Sequence, residues 1–239
     1  MTTALATAQL TGQSESHLVQ LGAGHRLQSE VARAFEHLQR DAAAAGFELA
    51  IASSFRSFSR QLAIWNGKAS GERPVHDDAG RPLALAGLSP TAQVHAILRY
   101  SALPGASRHH WGTDLDVFDA AALGCGEKVR LEPDEVAPGG VFDPLHCWLD
   151  ERMAAGQSHG FFRPYAVDRG GVAPERWHLS YAPLSRDCGS RLCAGLLARC
   201  WDQAAPREQL LLREALDSVL PELVQRYVSV PEDWCPAMS

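Results

Sequence analysis

No apolar run in this chain approaches the roughly 20 residues that a membrane-spanning helix needs, so no membrane span is expected. Positive charge is short as well. The chain has 22 Lys and Arg against 28 Asp and Glu, a net charge of −6, and its arginines are scattered rather than gathered in a patch. Such a surface binds neither nucleic acid nor an anionic membrane well, and neither is expected as a partner. The first twenty residues contain no Lys or Arg and no continuous apolar core. A secretory leader is therefore not visible and a cytoplasmic address is expected, with a periplasmic one open if a leader has been removed. The cysteines (Cys125, Cys147, Cys188, Cys193, Cys200 and Cys235) form no C-x-x-C pair. A disulfide among the four nearest the C-terminus is conceivable, but buried free thiols are the favoured expectation for a cytosolic chain. G-x-S-x-G, the P-loop and G-x-G-x-x-G are all missing, which leaves serine-hydrolase and nucleotide chemistry without support. There is no internal repeat and no low-complexity tract.

What is present reads as an ordinary globular chain, 46% hydrophobic and 21% charged over 239 residues, enough for one substantial domain with an appendage. Residues 1–24 are polar and aperiodic, a loosely packed lead-in. Leu27, Val31, Ala34, Phe35, Leu38, Ala42 and Ala45 recur at helical spacing, and Gly46 ends that helix. Phe47–Ala52 reads as a strand, followed by a short helix through Gln61, Leu62, Ile64 and Trp65. Ser89-Pro90 and Asp143-Pro144 each open a helix. Asp114–Phe118, Phe161–Tyr165 and Trp177–Tyr181 are strand candidates. Two long Gly/Pro-rich loops, 66–88 and 119–142, are expected to border the functional cleft. Residues 190–228 are helical, with Leu210, Leu211, Ala215, Leu216, Val219, Leu220, Leu223 and Tyr227 as the apolar face and Pro221 splitting them into two helices. Short strands mixed with helices, without a regular βαβ rhythm, indicate an α+β fold.

Chemistry concentrates in Ser107-Arg108-His109-His110-Trp111-Gly112-Thr113-Asp114-Leu115-Asp116 and, sixty residues later, in Glu175-Arg176-Trp177-His178. Two imidazoles and a carboxylate suit a catalytic zinc, which takes three protein ligands and keeps one position open, and a spare carboxylate can move protons. H-E-x-x-H is absent, which removes only the commonest zinc-peptidase layout. Spacing alone leaves two readings open: a zinc site, or polar core histidines with carboxylates nearby. Asp114 and Asp116 lie two apart and share a face of any strand, so Asp114 is a competing ligand or a residue that orients an imidazole. His110 reads as a neighbour rather than a ligand. His25, His37, His76, His95, His146 and His159 have no matching partners and read as surface or helix residues. Trp111 and Trp177 wall the cleft or simply pack in the core.

Three motifs in order resemble the zinc D-alanyl-D-alanine carboxypeptidases of the VanY and VanX type. They are Phe55-Arg56-Ser57-Phe58-Ser59-Arg60-Gln61, then Ser107-x-His109-x-x-Gly112-x-x-x-Asp116, then Glu175-x-Trp177-His178, and the likeness covers roughly residues 28–182. That resemblance implies Zn2+ held by His109, Asp116 and His178, with Glu175 as general base and acid. It makes Arg56 the cation at the scissile carbonyl or substrate carboxylate, and Ser107 and Gln61 substrate contacts. The family usually has a small residue where this chain has Asp114. The implied fold is a small, mainly antiparallel sheet with flanking helices, of the Hedgehog/D,D-peptidase kind. Residues 1–185 would form the catalytic domain, and 186–239 a C-terminal helical extension packed on it. The implied activity is removal of a terminal D-alanine from a peptidoglycan stem peptide or precursor. Rival readings are an L,D-carboxypeptidase of cell-wall recycling, a D,D-dipeptidase, and a non-catalytic zinc-containing binding protein such as the Hedgehog signalling domain.

Overall fold

The computed structural model describes residues 4–203, 210–231 and 234–236. Its elements in chain order are α1 (Thr7–Leu10), β1 (Val19–Gln20), β2 (Arg26–Leu27), α2 (Ser29–Ala44), β3 (Leu49–Ser53), α3 (Phe58–Ala69), α4 (Pro90–Leu98), β4 (Asp114–Asp119), α5 (Pro133–Val136), α6 (Asp143–Ala154), β5 (Phe161–Phe162), β6 (His178–Tyr181), α7 (Ala182–Ser185), α8 (Ala194–Gln203) and α9 (Arg213–Leu223). Strands β3, β4, β6 and β5 form, in that order, one antiparallel sheet, and β1 and β2 form a separate ribbon. The fold is α+β, as expected. No helix among the described residues is long and apolar enough to cross a membrane.

Helix α2 forms because Val31, Phe35, Leu38 and Ala42 fall on one face, and all four are buried. Together with Leu145 and Leu149 of α6 they pack on Leu115, Val117 and Leu179 of the sheet. Side chains alternate along a strand, so the same pleat that sends Leu115 and Val117 into this core turns Asp114 and Asp116 to the opposite face. In the β4–β6 register Asp116 lies opposite His178 and Asp114 opposite Ser180. The sequence periodicity therefore does two jobs: it builds the core and gathers the charged groups on the other side.

Helices α3 and α4 carry N-caps. Ser57 accepts from the Arg60 amide, and Ser89 accepts from Ala92 with Pro90 in the first turn. They share a second apolar cluster with α8 and α9, in which Phe58, Leu62 and Trp65 meet Leu197, Trp201 and Leu216. Two indoles fasten this layer: Trp65 Nε1 donates to the Leu211 carbonyl at 2.9 Å, and Trp201 Nε1 donates to the Pro104 carbonyl at 2.8 Å.

The structure corrects several expectations. The lead-in is not loose. Leu10 and Thr11 are fully buried, and the amide of Phe58 is bonded to the Gly12 carbonyl at 2.8 Å. Leu27 belongs to the β1–β2 ribbon rather than to the helix, and the adjoining Gln28 amide bonds to the Gly112 carbonyl at 2.9 Å. Helix α3 runs to Ala69, into the segment expected to be loop, and no residue of 66–88 lines the cleft cavity described below. Pro221 does not split the C-terminal helix. It lies inside α9, which continues into a π-helical turn over Val224–Val228. All six cysteines are free, but only Cys188 and Cys200 are buried.

Leu10 tests the packed lead-in. Leu10→Ala should cost about 2–5 kcal/mol of unfolding free energy, the usual range for a fully buried leucine. Urea unfolding at neutral pH reads this directly, and a loss indistinguishable from a surface substitution would mean that the segment does not pack.

Candidate metal centre and catalytic cleft

Arg108–Trp111 form one turn of 3-10 helix that ends at Gly112, whose φ of 67° is left-handed. L side chains rarely adopt that backbone, and a Cβ there would press on the Leu18 side chain, so glycine suits the turn back into β4. The turn brings His109 over Asp116, and the β4–β6 ladder brings His178 beside it. His109 Nε2 lies 3.3 Å from Asp116 Oδ2, and His178 Nδ1 lies 3.0 Å from Asp116 Oδ1. Among the described residues these three are the group whose donor atoms could hold a metal ion, all within 4.8 Å of one another and all buried. Tetrahedral bonds of about 2.0–2.1 Å put neighbouring donors roughly 3.3 Å apart, so the spacing is of the right size for zinc.

Burial alone would push the His178 imidazole down. Hydrogen bonds to Asp114 and Asp116 outweigh it and raise the ring to about 9. Burial raises both carboxylates in turn, but for Asp116 the charges and hydrogen bonds of His109 and His178 reverse that. For Asp114, Arg108 and His178 do the same. Buried imidazole nitrogens and a carboxylate this close together make a donor set that suits a cation. Glu175 stands next to it, its Oε2 3.9 Å from His178 Nδ1. Burial pushes this carboxyl up to about 7; His178 opposes the rise and Asp116 adds to it. The amide of Glu175 donates to the Tyr165 carbonyl at 3.1 Å, and the following Arg176 is tied to Asp143 and Asp150 at 2.8 Å each. The base-bearing loop is thus clamped to α6.

These groups line a cavity of about 170 Å3, whose wall also includes Arg56, Ser107, Tyr165 and Trp177. Arg56 is lowered by burial, with Asp116 and Glu175 acting the other way. Gln61 does not form part of that wall. Its Oε1 accepts from Arg56 Nη1 at 2.9 Å and its Nε2 donates to the Ala102 carbonyl at 2.8 Å, so its amide holds Arg56 rather than a substrate. Trp177 lies on the cleft, whereas Trp111 is fully buried in the core with Arg108 over its ring.

His110 is a structural neighbour. Its Nδ1–H donates to the Arg56 carbonyl at 2.6 Å, and its Nε2 accepts from the Gly105 amide at 3.1 Å, so the ring is neutral and fully used. Among the other histidines, His146 is no surface residue: it is fully buried, and both ring nitrogens lack hydrogen-bond partners among the described residues. His25, His95 and His159 bond to Ser54, Tyr227 and Asp41, none of which belongs to the cluster. Arg108, Tyr165 and Leu131 also line the cavity, although no sequence motif assigns them a role. Leu131 lies in the 119–142 loop and reaches the cavity with φ of 58°, an unusual backbone for leucine. Only for Arg108 was there a signal, its position inside the histidine motif.

The VanY family, described as D-alanyl-D-alanine carboxypeptidase, matches residues 24–184, and the chain belongs to it. An uncharacterized protein of Haemophilus influenzae is 50% identical over 103 residues, covering 41% of this chain and 70% of that one. A second uncharacterized protein from the same organism is 32% identical over 128 residues, covering 53% of this chain and 92% of its own. A solved structure of VanYB in complex with D-Alanine-D-Alanine superposes with a TM-score of 0.50 at 22% identity, covering 81% of this chain and 92% of that one. At that identity the likeness is one of fold.

His110 supplies a pH test. Burial pushes its ring down from 6.5 to about 3, against the hydrogen bond to Arg56. The unfolded chain therefore takes up a proton at this residue below pH 6.5, while the folded protein waits until about pH 3. Its contribution to stability is full above the higher value and is lost as pH falls toward the lower. His110→Gln should flatten the acid limb of the stability profile in urea titrations between neutral pH and about pH 4.5. An unchanged slope would contradict a buried, neutral ring.

Proposed function

We propose that this protein is a zinc-dependent carboxypeptidase that removes a terminal D-alanine from peptidoglycan stem peptides or their precursors. The observation that carries the reading is the convergence of His109, Asp116 and His178 with Glu175 and Arg56 on one small cavity. Two neutral-capable imidazoles and a carboxylate are a donor set that suits zinc and leaves a fourth position free. Membership of the VanY family supports the substrate class. So does the size of the cavity, about 170 Å3, which suits the end of a peptide; pockets for whole drug-sized ligands run to roughly 300–1,000 Å3.

Bound zinc supplies Lewis acidity to the scissile carbonyl and to the attacking water. The protein supplies the rest. Glu175, held near neutrality by burial, takes a proton from the water and returns it to the departing amine of D-alanine. Arg56, fixed by Gln61 and by the His110 bond to its own carbonyl, places a guanidinium where negative charge develops on the carbonyl oxygen or sits on the terminal carboxylate. Ser107, on the cavity wall, offers a hydrogen bond to the peptide. Residues 1–185 are read as the catalytic part and 186–239 as an extension that supports it through the shared apolar cluster.

A panel of penta- and tetrapeptide stems ending in D-alanine, followed by mass spectrometry with and without a chelator, tests the activity. Chelator-sensitive loss of one alanine from the pentapeptide is expected. Loss from the tetrapeptide alone would assign L,D-specificity, and no cleavage by zinc-loaded protein would favour a binding role.

Glu175→Ala should lower kcat by about 100-fold or more while zinc stays bound, since general acid–base catalysis contributes roughly 10²–10⁴-fold. Metal analysis of the variant checks this. Loss of zinc together with activity would make Glu175 a ligand instead of a base.

A further inference from the structure

Asp114 is a buried carboxylate on the site's face of β4 that the reaction described above does not use. Both of its oxygens are engaged in hydrogen bonds rather than aimed at the metal position. Oδ1 accepts from His178 Nε2 at 3.0 Å and from Arg108 Nε at 2.7 Å, and Oδ2 accepts from Thr113 Oγ1 at 2.5 Å. It is fully buried, and Arg108 is 5% exposed. Arg108 in turn is held by further contacts: Nη2 donates to Ser180 Oγ at 2.6 Å, and the guanidinium lies 4.6 Å from the Trp111 ring and 5.9 Å from the Phe162 ring.

We propose that Asp114, neutralised by Arg108, is a positioning residue that locks His178 in the tautomer presenting Nδ1 to the metal, and so sets the affinity of the site. The proposal rests on the metal reading of the cluster. An imidazole offers a lone pair on one nitrogen only if the other carries the hydrogen. His178 Nδ1 is the edge that faces Asp116 and Glu175, at 3.0 and 3.9 Å. The hydrogen must then sit on Nε2, where a carboxylate, which can only accept, holds it in place. A third carboxylate beside the ligands would leave the site over-charged, and Arg108 removes that excess without approaching the metal position. The second imidazole has no such support, because His109 Nδ1 lacks a hydrogen-bond partner among the described residues. The buttress therefore acts on one ligand, and the two histidines are not equivalent.

The test is zinc affinity by competition with a chromophoric chelator, on protein shown to be folded by circular dichroism. It is paired with long-range 1H–15N spectra of the histidine rings in the zinc-bound protein. Asp114→Ala should weaken zinc binding by about 10–100-fold, the usual effect of losing such a partner. Asp114→Asn, which keeps an acceptor for Nε2–H, should lose less and retain the Nε2–H signal of His178. If Asp114→Ala does not fold because Arg108 is left unpaired, the double variant Asp114→Ala/Arg108→Met removes both charges and should show the same loss. Folded Asp114→Ala or double variant binding zinc within twofold of the parent would overturn the proposal, as would a parent spectrum with the hydrogen on Nδ1. Failure of the parent itself to bind zinc would overturn the metal reading on which it rests.

Discussion

Two carboxylates, Asp114 and Asp116, stand two residues apart on one face of β4, with 0% and 4% of their surface exposed. Withdrawing a carboxylate from water costs several kcal/mol unless opposite charge and hydrogen bonds replace the lost solvent. The architecture around β4 answers that demand. Arg108 meets Asp114 from the preceding turn, His109 meets Asp116 from the same turn, and His178 stands between the two carboxylates from the neighbouring strand. The compensating groups arrive from two backbone elements, the turn before β4 and strand β6, so the charge balance and the fold depend on each other. The sheet register, the left-handed Gly112 and the antiparallel return of β6 are all conditions for it.

The same pleat explains why so much of the site is legible in the sequence. Alternation along Asp114–Val117 separates the carboxylates from Leu115 and Val117, and the helical spacing of Val31, Phe35, Leu38 and Ala42 announces the layer that covers the apolar face. The histidines and carboxylates fall in short segments, so their pattern survives without the tertiary structure. What stays hidden is whatever depends on contacts between distant segments. Residues 1–24 look polar and aperiodic, yet Leu10 fills a place in the core that only the folded molecule creates. Pro221 reads as a helix breaker, but its missing N–H and ring are accommodated within α9. Gln61 belongs to a recognisable motif, but only the structure shows its amide turned to Arg56 and Ala102. His146 reads as a surface or helix residue; it is in a helix, but nothing nearby in the chain reveals that its face of α6 is covered.

The match to the VanY family ends at residue 184, whereas the apolar cluster behind the cleft continues into α8 and α9. Trp65 and Trp201 each donate across that boundary. Helix α3, which begins inside the Arg56 motif, therefore leans on the C-terminal helices, and the placement of Arg56 is linked to residues far from any motif. On the other side of the cleft the 119–142 loop contributes Leu131 in a left-handed conformation, a strain that the surrounding packing must hold. The cavity wall thus includes a residue from a segment that carries no chemistry of its own.

On the proposed reading, zinc held through two imidazoles and one carboxylate completes the charge balance around β4. X-ray absorption at the zinc edge of the loaded protein tests it most directly. Zinc at His109, Asp116 and His178 should give a shell of nitrogen and oxygen donors at about 2.0–2.1 Å, with the outer scattering of two imidazole rings and no sulfur. A sulfur donor at about 2.3 Å, or the scattering of a single imidazole, would place the metal elsewhere and contradict it.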